Sequence, residues 1–200
     1  MGDPKFPKKT YSTPRHPWEK ARIDSERIIM NTYGLKNKKE LWKSQAMLDS
    51  IRSQARQLQA RIRSNDPVAM KQLNLLLSRL NRYRIISGNT SLDDILSLNM
   101  ENVLERRLQT VVFRKNLSVT IGQARQMITH GHILLNGRRV TVPGLLVESL
   151  EEDSISYTGK SPFSDDMHPV RKLIAGTVEK EEKNEESAEK VDAAKEMKSE

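Results

Sequence analysis

The sequence predicts an α+β protein, with a helical N-terminal region followed by a small module of two helices on a short antiparallel sheet. Apolar residues recur at three- and four-residue spacings from Leu41 to Leu80, the period of an amphipathic helix. The same period returns between Val103 and Ile128, then gives way to short apolar runs on either side of Asn136-Gly137. That dipeptide tolerates positive φ at both central positions of a tight hairpin turn.

The elements follow in order. Residues 1–16 combine Pro4, Pro7 and Pro14 with Lys5, Lys8, Lys9 and Arg15 and show no apolar periodicity; they read as an extended basic arm, either threaded along phosphates or simply solvated. Residues 17–102 form the helical domain. Pro17 suits a first helical position and Gly34 a left-handed cap, which brackets a first helix. Asn37 followed by Glu40 opens a second, with Leu41, Leu48, Ile51, Ala55, Leu58 and Ile62 as its seam. Asp66-Pro67 ends it and starts a third, whose seam of Met70, Leu73, Leu76, Leu77 and Leu80 runs toward Gly88. Seams separated by so short a break are expected to pack as an antiparallel pair, since an intermolecular coiled coil needs three or four unbroken heptads. Trp18, Trp42, Tyr33 and Tyr83 read as packing residues; aromatic side chains are too few for a single-strand stacking platform.

Arg52, Arg56, Arg61, Arg63, Arg79, Arg82 and Arg84 decorate these two long helices, while Asp49 and Asp66 are the only acids between Leu41 and Ile86. A face built for solvation alone interleaves Glu with Arg at i,i+4. The surplus of arginine therefore favours a polyanionic partner over bare solvation.

Residues 103–160 form the second module. A helix over 103–114 carries Leu104, Leu108, Val111 and Val112 on one face, with Arg107 and Arg114 two turns apart along its flank. Thr120 and Gln123 make a capping box for the next helix, which ends at His130-Gly131 and has Ile121, Ala124, Met127 and Ile128 as its apolar stripe. Its other face is Gln123, Arg125, Gln126, Thr129 and His130, side chains able to meet phosphates, 2′-hydroxyls and exposed base edges. The hairpin through Asn136-Gly137 presents Arg138 and Arg139 beside it, and an alternating stretch at 153–157 completes the sheet. Residues 161–175 read as a connecting segment and 176–200 as an acidic, disordered tail.

Charge narrows the partner. The chain holds 34 Lys and Arg against 26 Asp and Glu; residues 176–200 contain five basic and nine acidic ones, which leaves 29 against 17 for the rest. An excess of this kind attracts polyanions through counterion release. No apolar stretch approaches the roughly 20 residues of a membrane span and residues 1–17 lack the apolar segment of a secretory signal, so a soluble, cytoplasmic protein without membrane association is expected. Without cysteine there is no disulfide, thiol nucleophile or zinc ribbon. Asp93-Asp94, Glu151 to Asp153 and Asp165-Asp166 are more simply first-turn and loop acids than catalytic pairs. His130 and His132 lack a nearby third ligand and make a poor metal pair; they read as RNA donors or as a structural helix end. No catalytic residue, cofactor or metal is assigned.

The residues LERRLQTVVFR at 104–114, ARQ at 124–126 and HGHILLNG at 130–137 resemble the RNA-binding domain of the small-subunit ribosomal protein S-four family. Upstream, PRHPWEKARID at 14–24 and YGLKNKKE at 33–40 resemble its archaeal and eukaryotic form. The resemblance implies a non-enzymatic constituent of the small ribosomal subunit, one that binds small-subunit ribosomal RNA, organises a multi-helix junction in its 5′ domain and nucleates assembly. It also implies a place beside the protein S-five family, near the channel through which messenger RNA enters, with an influence on translational accuracy. Position by position it carries RNA contact to Arg107, Arg114, Lys115, Ser118, Thr120, Gln123, Arg125, Gln126, His130, His132, Asn136, Gly137 and Arg138. The cysteine cluster of some bacterial members has no counterpart here. A rival reading is a free RNA chaperone that docks on ribosomes. A modifying enzyme is disfavoured, because no stretch of catalytic-domain size remains.

Overall fold

The computed structural model describes residues 9–86 and 92–174 of the 200. It divides into two compact units, Met1–Val111 with Gly144–Asp153 and Val112–Pro143 with Ser154–Glu200. Residues 1–8 of the expected arm, the helix end at Gly88 and the acidic tail at 176–200 lie outside the described residues. Among the described residues, no helix is long and apolar enough to cross a membrane.

The first unit is helical: α1 (Lys20–Thr32), α2 (Lys38–Arg63), α3 (Pro67–Arg82), α4 (Leu92–Ser97) and α5 (Met100–Glu105). Asn37 caps α2 by accepting from the Lys39 amide at 3.0 Å, and Asp66 caps α3 by accepting from the Val68 amide at 2.9 Å, with Pro67 in the first turn. The seams meet inside the unit, where Leu48, Ile51, Ala55 and Leu58 of α2 share one core with Ala69, Leu76 and Leu80 of α3 and with Ile95, Leu98 and Val103. The apolar stripes are thus intramolecular packing surfaces. Met70, expected in that seam, is half exposed, and Ala69 takes the inward position.

Three expectations are corrected here. α1 begins at Lys20 rather than Pro17, because the carbonyls of His16 and Pro17 are turned to the Arg22 guanidinium at 3.2 and 3.0 Å. Trp18 therefore precedes the helix and is 89% exposed, not packed. The expected helix over 103–114 is two helices, α5 and α6 (Leu108–Arg114). Between them the Leu108 amide donates to the Leu145 carbonyl at 2.7 Å and the Val147 amide to the Arg106 carbonyl at 3.0 Å, forming a short antiparallel bridge around Arg107 and Leu146. Those backbone groups are the ones a continuous helix would have used. Residues 144–153 go with the helical unit, and the division between the two compact units falls between Val111 and Val112.

The second unit holds the end of α6, α7 (Ile121–His130), β1 (Ile133–Leu135), β2 (Arg138–Arg139) and β3 (Ser156–Tyr157), with strand order β2-β1-β3, all antiparallel. Leu134 pairs with Arg139 on one side and with Ser156 on the other. The third strand is shorter than the 153–157 expected, because residues Ser149–Ser154 wind into a 3-10 turn closed by the Glu151 amide on the Glu148 carbonyl. Ala124, Met127, Ile128, Ile133, Leu135 and Ile155 are buried.

Candidate nucleic-acid interface

The site is built on α7 and the hairpin that follows. At the start of α7 the Thr120 hydroxyl accepts from the Gln123 amide at 3.2 Å, while the Gln123 side-chain oxygen accepts from the Val119 amide at 2.8 Å. This reciprocal box fixes the entry of the chain. At the other end Gly131 sits at φ +75°, the left-handed region that only glycine enters without strain. A β-carbon there would also collide with the Arg139 guanidinium, which lies across the glycine and donates to the His130 carbonyl at 2.8 Å. Asn136 and Gly137 have φ of +51° and +72°, the pair of left-handed values that turns β1 into β2 within two residues. The end of the helix and the hairpin are thereby joined.

Ala124, Met127 and Ile128 anchor the inner side of α7, and Gln126, Thr129 and His130 are exposed on the outer side. Of the thirteen residues assigned to RNA, Arg114, Thr120, Gln126, His130, Asn136, Gly137 and Arg138 are exposed, and Lys115, Gln123, Arg125 and His132 partly so. Gln123 is engaged in the cap. His132 sets its Nδ1 3.0 Å from the Ser161 hydroxyl, which also accepts from the Phe163 amide, and its ring meets Phe163 edge to face at 5.0 Å between centroids. When the Ser161 hydroxyl donates to Nδ1, the neutral ring carries its proton on Nε2.

Ser118 and Arg107 are placed differently. Ser118 is buried, with no hydrogen-bond partner for its hydroxyl among the described residues. Arg107 lies not on an exposed flank beside Arg114 but inside the first unit, where it is 6% exposed and pairs with Glu40 at 2.7 Å. The helix break at Arg106-Arg107 turns it inward. The arginines of α2, α3 and the turn after α3 are also partly consumed: Arg52 donates to the Leu98 carbonyl, Arg82 pairs with Glu148 at 3.3 Å, and Arg84 with Glu152 at 3.5 Å.

The sequence reading passed over a strong signal. Residues 112–143 contain Arg114, Lys115, Arg125, Arg138 and Arg139 and no Asp or Glu at all. It also passed over residues 161–174, where Pro162, Asp165-Asp166 and Pro169 interrupt any periodicity. There Ser161 and Ile174 are buried, and Phe163 meets His132, Tyr157 and His168. Burial pushes the Tyr157 phenol above its ordinary pKa, against the opposing influence of the Arg171 guanidinium 5.2 Å from its ring. An open groove of about 270 Å³ runs between this segment and α7, lined by Gln123, Gln126, Met127, His130, His132, Phe163 and Val170.

Comparison with known proteins agrees with this geometry. Residues 106–155 match the S4 domain, and residues 5–105 match the ribosomal protein S4/S9 N-terminal domain. The chain is similar to small ribosomal subunit protein uS4 of Thermoplasma acidophilum, at 62% identity over 87% of both chains. Its identity to the protein of that name from Thermoplasma volcanium is 59%, over 94% of this chain and 95% of the relative. For the one from Methanococcus aeolicus the identity is 50%, over 86% and 96%. An acid-free helix-and-hairpin surface inside a matched S4 domain, preceded by the matched N-terminal domain, places the chain in the small ribosomal subunit protein uS4 family.

Proposed function

We propose that the chain is a non-enzymatic structural constituent of the small ribosomal subunit, in the cytoplasm, that binds small-subunit ribosomal RNA through the α7–hairpin face. The observation that carries this is the acid-free stretch 112–143, in which Arg114 ends α6, Arg125 stands on the capped helix α7, and Arg138 and Arg139 follow the two-residue turn. Arg114, Lys115, Arg125 and Arg138 supply salt-sensitive attraction to phosphates. Gln126, His130 and Asn136 add donors and acceptors that select a folded surface by its 2′-hydroxyls and base edges. Arg107, buried and paired with Glu40, holds the first unit together rather than meeting RNA. The finer reading rests on the family resemblance: a multi-helix junction in the 5′ domain, a role in nucleating assembly, the protein S-five family as neighbour, and a position near the messenger RNA channel with an influence on accuracy.

Binding measured across a salt series tests it, with small-subunit ribosomal RNA and an unrelated duplex as the two probes. Affinity for the ribosomal RNA is expected to persist at salt that abolishes duplex binding. Two curves that fall together would leave only general charge attraction. Retention of one copy per small subunit after a high-salt wash separates a constituent from a chaperone that docks and leaves.

A further inference from the structure

We infer that the groove between α7 and residues 161–174 holds a single unstacked nucleobase of the small-subunit RNA. The inference rests on the RNA-binding reading above and adds to it a defined site. Met127, Phe163 and Val170 give the groove apolar surface, while Gln126, His130 and His132 bring hydrogen-bonding groups to it. A nucleobase presents that combination, a flat apolar face with donors and acceptors at its edge, and proteins that read single-stranded RNA take such bases against aromatic and histidine rings. No carboxylate lines the groove, and the Arg139 guanidinium lies beside it on the His130 carbonyl, so the surroundings favour an anionic chain. At about 270 Å³ the groove is near the lower end of small-ligand pockets, suited to one ring system and too small for a helix or strand. Phe163 and Val170 lie outside residues 106–155, so the segment after the S4 domain completes the site.

Phe163 is held in place by its neighbours. Its amide donates to Ser161, and its ring meets His132 and His168 edge to face, each at 5.0 Å between centroids. The groove thus has a preorganised aromatic wall, which reduces what ordering costs on binding.

The test uses the full chain bound to small-subunit ribosomal RNA, irradiated with ultraviolet light and digested with nuclease and trypsin. A nucleotide adduct is expected on the peptide 161–171, which carries Phe163 and Val170 and lies outside the α7–hairpin face. In parallel, Val170→Trp fills the groove, and Phe163→Leu removes its aromatic wall should the bulkier replacement unfold the segment. Affinity for the ribosomal RNA should fall about five- to hundredfold, the range for losing one stacked base, while duplex binding and the melting temperature hold. The site stands if affinity falls and the peptide 161–171 carries a nucleotide, and it is overturned if either result fails. When wild-type protein still prefers ribosomal RNA to duplex, that failure removes the base site alone, and the groove then belongs to a protein neighbour. If wild type shows no such preference, the RNA-binding reading falls and this site with it.

Discussion

At the scale of single residues, some charged groups hold the fold and others are proposed to meet RNA. Arg107 is of the first kind. Its pair with Glu40 is largely buried, so removing one partner strands the other charge, a loss of about 3–5 kcal/mol in comparable sites. Arg107→Met and Glu40→Leu are each expected to cost stability of that order, and the double variant to recover much of it; urea unfolding of these three proteins and the wild type measures the coupling. Charge reversal at Arg107 should therefore lower stability, whereas Arg138→Glu should lower RNA affinity with stability unchanged. Glu26 is a second structural charge, 8% exposed, accepting from Lys38 at 3.0 Å and from Trp42 at 3.2 Å as well as from Arg22. Burial is the largest single influence and acts to raise its pKa, but the three donors together outweigh it and the net shift is downward. A carboxyl whose pKa is lower when folded contributes stability above its unfolded value, near 4.3, and loses that contribution as pH falls through the lower folded value. The melting temperature of the wild type should exceed that of Glu26→Gln at pH 7, with the gap closing below about pH 4. Neither role was legible in the sequence. Arg107 lies 67 residues from Glu40 and Glu26 lies 16 from Trp42, and no local pattern announces such pairings.

At the scale of elements, α7 and its hairpin were read correctly because their determinants are local. The capping box, the apolar stripe, the terminal glycine and the Asn-Gly turn each act within a few residues. Thr120→Ala removes one half of the box and should cost about 1 kcal/mol. Gly131→Ala should cost at least as much, since alanine resists the positive φ and its methyl must displace Arg139; thermal unfolding of both variants checks the pair. The missed break between α5 and α6 has the opposite origin. Leu104, Leu108, Val111 and Val112 keep helical spacing across it, and only the distant segment 144–147 diverts the backbone. Trp18 was misplaced for a related reason, because the start of α1 is set by the Arg22 guanidinium on two preceding carbonyls and not by Pro17.

At the scale of the molecule, one chain carries two units with different means of stability. The helical unit has a continuous apolar core across α2 to α5. The smaller unit relies more on caps, positive-φ turns and a short sheet, and the acids among its described residues, Asp165 and Asp166, fall outside the stretch 112–143. The fold class and the family resemblance were legible in the sequence because helical periods and motif order survive without tertiary information. The contribution of residues 161–174 was not, because proline and paired aspartates conceal a segment whose order comes from Phe163 and its ring neighbours. The central claim is that the α7–hairpin face reads a folded RNA surface. The measurement that tests it most directly is the affinity of Arg125→Ala/Gln126→Ala/Arg138→Ala for small-subunit ribosomal RNA at fixed salt, with melting temperature followed alongside. The account predicts a loss of tenfold or more, about 1.4 kcal/mol at the least, with the fold intact. Affinity equal to the wild type in a folded variant would contradict it and move the RNA to another surface.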